Sequence, residues 1–279
     1  MYFGYNTNGF AHHRLEDTLS ILAELGYEGV ALTLDYRTIN PLEAGWQKVA
    51  EKVRRQLEQL KLRCVIETGA RFLLDPRRKH QPTLISNTST GQSERHRLLV
   101  QAIDVASTLG TDIVSFWSGA PDESSPESKS IARLVGWCWE LADSAAKMRV
   151  HIAFEPEPGM FIDTMLRFQE LNDRVKRGNF GLTLDVGHVH CLNDGSIVDH
   201  IRRWKDKLWN VHIEDMRKGV HEHLMFGDGE MDFPPILRAL DEIGYEGGVF
   251  VELSRHSHDA VNTARKALAF LKEARHAAG

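Results

Sequence analysis

Cysteine is scarce: Cys64, Cys138 and Cys191 are the only three in 279 residues, and no two form a CxxC pair. An odd, scattered set excludes a disulfide framework and a thiolate zinc site, and reads as reduced thiols packed inside a cytosolic protein. Long apolar runs are missing as well. The amino terminus, Met1-Tyr2-Phe3-Gly4-Tyr5, carries no basic leader and no extended hydrophobic stretch, which points away from secretion and from membrane insertion. Positive charge is not in excess: 34 Lys and Arg against 39 Asp and Glu leave a net charge of -5, without the basic bias of a nucleic-acid-binding chain. No low-complexity stretch or linker divides the sequence, so residues 1–279 are read as a single domain. No Gly-rich phosphate loop follows the first strand, which weakens an open doubly wound sheet as the fold.

What the chain does have is alternation. Hydrophobic residues make up 42% and charged residues 26%, ordinary globular values. Leu15, Leu19, Leu22 and Leu25 sit at helical spacing with Gly26 as the stop, and Gly29 to Leu34 then reads as a strand. Further helices are expected over Trp46–Leu60, His96–Leu109, Ile131–Lys147, Leu166–Val175, Ile197–Trp204, Pro234–Ile243 and Ala260–Ala274, with short strands before each. Strand-helix pairs repeated in this way along such a length predict a (β/α)₈ TIM barrel, whose functional residues lie at the carboxyl ends of the strands. Three long segments that follow strands, Thr68 to Gln92, Ser118 to Pro126 and Arg217 to Asp232, are expected as loops on that rim.

Four apolar runs in the second half end in a residue that can bind a divalent ion: Glu155, Asp185, His212 and Glu252. On consecutive parallel strands those ends share one face. Three carboxylates and one imidazole suit a hard or borderline ion, Mn²⁺ or Mg²⁺ before Co²⁺ or Zn²⁺. Glu157 competes with Glu155, because strand alternation points both the same way, although Pro156 and Pro158 mark the strand as ended.

The segments Leu25-Gly26-Tyr27-Glu28-Gly29-Val30, Leu184-Asp185-Val186-Gly187-His188, Val211-His212-Ile213-Glu214-Asp215 and Gly227-Asp228-Gly229-Glu230-Met231-Asp232-Phe233 resemble the xylose-isomerase-like TIM barrels. That superfamily includes sugar isomerases, ketose 3-epimerases, inosose dehydratases and AP endonucleases. The resemblance implies that Glu155, Asp185, His212 and Glu252 hold one metal ion. It also implies that Glu155 and Glu252 move a proton beside the substrate carbonyl through a metal-stabilised enediolate. A small carbohydrate is the implied partner, within a homodimer or homotetramer.

Near the implied site, His188 and Arg217 are substrate-contact candidates, and Glu157, Arg71 and Trp117 join them on the rim. His221 and His223 fall where AP endonucleases bind additional zinc; a second metal, a substrate contact and a plain polar loop all stay open for them. The trinuclear endonuclease centre needs histidines where this chain has Glu67 and Trp117, so a phosphodiesterase is the weaker class. Phe161 stands where ketose 3-epimerases usually carry another glutamate, a departure that bears on the substrate.

Overall fold

A computed structural model describes residues 1–121 and 125–278. Eight parallel strands close into a barrel: β1 (Tyr2–Asn6), β2 (Gly29–Thr33), β3 (Arg63–Glu67), β4 (Ile113–Phe116), β5 (His151–Phe154), β6 (Phe180–Asp185), β7 (Leu208–Ile213) and β10 (Gly248–Val251). Their order is β1-β10-β7-β6-β5-β4-β3-β2, which is the TIM-barrel order and rules out the open sheet. The intervening helices are α1 (Leu15–Leu25), α2 (Trp46–Leu60), α3 (Ser89–Leu109), α4 (Glu127–Lys147), α5 (Met165–Val175), α6 (Val186–Leu192), α7 (Ile197–Trp204), α8 (Phe233–Glu242) and α9 (Ala260–Ala278). No helix among the described residues is long and apolar enough to cross a membrane.

Contacts group the chain into two compact units. One comprises residues 1–32, 55–64 and 183–279. Here β1 pairs with β10 (Gly4 opposite Phe250) and β10 with β7 (Phe250 opposite His212). Phe250 is fully buried, and Gly4 makes room for it: a methyl at Gly4 would stand 2.3 Å from the ring. Alternation then puts Glu252 on the side of Phe250, one layer higher, at the carboxyl end. The other unit comprises residues 33–54 and 65–182. Its core is aromatic: Phe154 meets Phe168 at 6.1 Å and Phe180 at 6.0 Å, all fully buried. Rings of this size supply about 1.5–3 kcal/mol each through burial, which holds β5 and β6 in place.

Three sequence expectations change. The segment from Arg217 to Asp232 is not all irregular: β8 (Asp215–Arg217) and β9 (Val220–Leu224) form an antiparallel hairpin. Helix α3 starts seven residues early, at Ser89, because the Thr88 hydroxyl accepts the Gly91 N–H and caps it. A short unexpected helix, α6, springs directly from β6. In the expected loop from Ser118 to Pro126, Asp122, Glu123 and Ser124 lie outside the described residues.

Candidate metal centre at the strand ends

The centre begins with local chemistry. Asp185 ends β6 and is also the N-cap of α6: its Oδ1 accepts the His188 N–H at 2.9 Å. Capping uses one oxygen only. The other, Oδ2, is buried, has no hydrogen-bond partner and lies 3.4 Å from His188 Nε2. A residue that is an ordinary cap by position therefore still presents a lone-pair oxygen.

On β7 the inward positions are Asn210 and His212, continued by Glu214 just past the strand, and all three are buried. His212 Nε2 faces the Asn210 amide at 3.2 Å, which turns Nδ1 towards Glu252 Oε2 at 3.1 Å. Glu252 follows β10 directly, its N–H donating to the Ile213 carbonyl. Its second oxygen, Oε1, accepts from Asn8 Nδ2 at 2.8 Å. Glu155 follows β5 in the same manner: it is buried, and its N–H donates to the Phe116 carbonyl at 2.9 Å. One donor atom from each of Asp185, His212 and Glu252 lies within 4.8 Å of the others. An unpartnered buried oxygen and a set of two carboxylates and one imidazole fit a divalent ion.

Charge is finely divided among these groups. Burial pushes the Glu252 carboxyl up, but the hydrogen bond and charge of His212, then His223 and Asn8, outweigh it and hold the group far below the usual carboxylate range. Asp185 behaves alike: burial opposes ionisation, and His188, His223 and His212 restore it. Glu214 goes the other way, well above its ordinary value, through burial and then the adjacent Asp185 carboxylate. Burial lowers His188 to about 4, against the opposing pull of the Asp185 carboxylate.

The remaining sequence candidates divide. His188 is buried beside Asp185, and its Nε2 meets His221 Nε2 at 3.1 Å. His223 is half-buried, with Nδ1 at 3.1 Å from the Glu252 carbonyl oxygen and 3.7 Å from Glu214 Oε2. Arg217 is exposed, and its Nη2 donates to the Asp228 carbonyl at 2.6 Å, tying down the loop after the hairpin. Arg71 is exposed, and its carbonyl accepts the His80 N–H. Trp117 is buried in a stack, edge to His80 at 4.9 Å and beneath the Arg95 guanidinium at 5.2 Å. Glu157 is half-buried in the turn after β5, where its N–H donates to the Ile162 carbonyl at 3.1 Å.

Sequence reasoning passed over Glu214, Asn210 and Asn8. For the first two the signal was available: polar residues at every second position, 210, 212 and 214, share one face of a strand. Asn8, in a short turn after β1, gives no such periodic sign.

The xylose isomerase-like TIM barrel family matches residues 19–274. An inosose dehydratase of Lacticaseibacillus casei is 26% identical over 137 residues, 43% of this chain and 46% of that protein. The chain thus spans about half the length of the curated relatives it first matches. Among solved structures, a D-allulose 3-epimerase from Methylomonas sp. shares 21% identity with a TM-score of 0.75, covering 98% of both chains. IolI, solved with a bound zinc atom, shares 20% identity with a TM-score of 0.78 over 97% of this chain and 98% of its own. With the family matching nearly the full length and the closed barrel beneath it, the chain belongs to the xylose isomerase-like TIM barrel family.

Proposed function

We propose that this single-domain protein is a divalent-metal-dependent isomerase or epimerase of a small polyhydroxy carbonyl compound. The observation that carries this reading is the convergence of Asp185, His212 and Glu252 donor atoms within 4.8 Å, with Glu155 at the end of β5 as the fourth ligand we propose. Asp185 and His212 would hold the ion together with the two glutamates. When bound, a divalent ion such as Mn²⁺ supplies positive charge that acidifies the C–H beside the substrate carbonyl. Glu155 and Glu252 are the proton carriers: one removes the α-proton, and the other, or the same one, returns it. Asn8 and His212 keep Glu252 ionised and aimed, so that it is basic in form before substrate arrives.

The similarity to an inosose dehydratase favours a second outcome of the same abstraction. After a carboxylate takes the α-proton, the β-hydroxyl leaves with a proton as water. Hydrolysis of AP endonuclease type has less support, since β3 ends in Glu67 and Trp117 follows β4, and neither is a histidine.

The test is solvent-deuterium exchange at the α-carbon, followed by NMR with a panel of ketoses, inososes and ketose phosphates in the presence of Mn²⁺. The wild type should wash deuterium into at least one of them. Glu155→Gln and Glu252→Gln should each abolish the exchange, and exchange retained in both variants would refute the assignment.

A further inference from the structure

Behind the long segment after β3 stands a buried charge that the proton-transfer reading leaves unused. Arg95, on α3, is only 4% exposed. Its Nε donates to the Pro82 carbonyl and its Nη2 to the His80 carbonyl, both at 2.9 Å, and the guanidinium lies over the Trp117 ring at 5.2 Å. Among the described residues no carboxylate pairs with it, and Nη1 makes no hydrogen bond. Burial lowers the group to about 10, with no acid among the described residues to oppose the shift. A charge taken out of water without a counterion is costly. Pinning the loop alone would need no more than a neutral donor.

The surrounding segment, Thr68 to Ser93, adds Arg71, Arg77, Arg78 and Lys79 against one acid, Asp75. Asp75 is already engaged: it accepts the N–H groups of Arg77 and Arg78, and Arg78 Nε at 2.7 Å. Lys79 and Arg71 are exposed, and after burial it is the charges of Lys79, Arg95 and Arg71 that lower His80, which puts three cations about one ring. His80 Nδ1 is buried without a hydrogen-bond partner, and the ring meets Trp117 edge-on at 4.9 Å. The Trp117 indole N–H also donates to nothing among the described residues. Gly69 leaves room in front of it, since even a methyl there would stand 3.8 Å from Nε1.

We propose that Arg95, Lys79, Arg71 and the Trp117 N–H form an anion subsite past the ends of β3 and β4, which takes a phosphate monoester carried by the substrate. Its donors come from the segment after β3, from α3 and from the residue after β4. Donors arriving from several elements surround a tetrahedral dianion more fully than a planar carboxylate. The subsite deepens the isomerase or epimerase reading and rests on it for the other end of the substrate. Glu155 follows β5, the neighbour of β4 in the same unit, so one small molecule could present its reacting carbon there and its phosphate here.

The test is calorimetric titration of the full-length protein with inorganic phosphate, in mildly alkaline buffer containing EDTA so that no metal ion holds the anion. Saturable binding is expected for the wild type. Arg71→Ala combined with Lys79→Ala should weaken it about tenfold or more, and so should Arg95→Met. Arg95→Met is checked for a cooperative melt by circular dichroism; the exposed pair keeps the test alive if that variant fails to fold. No saturable binding by the wild type would overturn the subsite, and so would equal affinity in the wild type and the double variant. Acetate bound as tightly as phosphate would overturn the assignment to a phosphate. Deuterium exchange with Mn²⁺ then separates this result from the proton-transfer reading: a ketose phosphate should show a lower KM than the free ketose. Exchange in a free ketose with no phosphate binding would sink the subsite alone. Phosphate binding with no exchange in any compound would sink the proton-transfer reading and leave the anion site standing.

Discussion

At the scale of the residue, the centre depends on groups that orient other groups. Asn8 donates to Glu252 Oε1 and leaves Oε2 to His212. A hydrogen bond to a charged acceptor contributes about 1.5–3 kcal/mol. Asn8→Ala should therefore lower kcat about tenfold to a hundredfold while KM changes little, as steady-state kinetics on the responsive substrate would show; an unchanged kcat would remove Asn8 from the account. Asn210 sets which nitrogen of His212 faces the carboxylates. Losing such an orienting partner typically costs about tenfold to a hundredfold in metal affinity, so Asn210→Ala should weaken Mn²⁺ binding by that factor in a chelator competition. The four proposed strand-end ligands were legible as candidates in the sequence because each closes an apolar run. Glu214 was hidden because it lies beyond the end of its run, where the eye stops at His212. Its importance comes from total burial, which no linear pattern states.

At the scale of the element, the β8–β9 hairpin matters most, because it carries His221 and His223. Its turn, Lys218-Gly219, uses a glycine in the left-handed region, φ 74°. Asp215 is its clamp: Oδ1 accepts the N–H of Met216 and Met231, and Oδ2 those of Gly227 and Gly229. Asp215→Ala strands four amides at once. Hydrogen exchange at Gly227, Gly229 and Met231 should accelerate sharply, while amides of β4 and β5 keep their protection; uniform loss across the barrel would contradict a local clamp. The long segment after β3 makes a different prediction. His80 is lowered to about 4 by burial, then by the charges of Lys79, Arg95 and Arg71. Its ordinary value is 6.5, so between those values the folded form binds fewer protons than the unfolded form. Stability from this group is complete above about pH 6.5 and is lost as pH falls towards 4. His80→Gln should flatten the acid side of the melting-temperature profile over that window. The hairpin escaped sequence reading because its strands are short and polar, whereas the barrel strands are apolar and bounded by helices.

At the scale of the whole molecule, the alternation of strand and helix pointed to a closed barrel ahead of an open doubly wound sheet, and the strand order bears that out. Register was not readable. That Phe250 lies opposite both Gly4 and His212 is a matter of packing volume, fixed only when the ring fills the space the glycine leaves. The proposed ligand set also predicts a global effect. An ion that binds only the folded chain stabilises it by about 2.7 kcal/mol at a hundredfold excess over Kd. Mn²⁺ should accordingly raise the Tm of the stripped protein, and EDTA should reverse the rise. The same addition should leave Asp185→Asn nearly unmoved. The most direct test of the central claim is Mn²⁺ binding to the stripped protein, followed by electron paramagnetic resonance of the free ion. Saturable binding by the wild type, weakened on the order of a hundredfold in both Asp185→Asn and His212→Ala, is the predicted result. Equal affinity in all three proteins would contradict it.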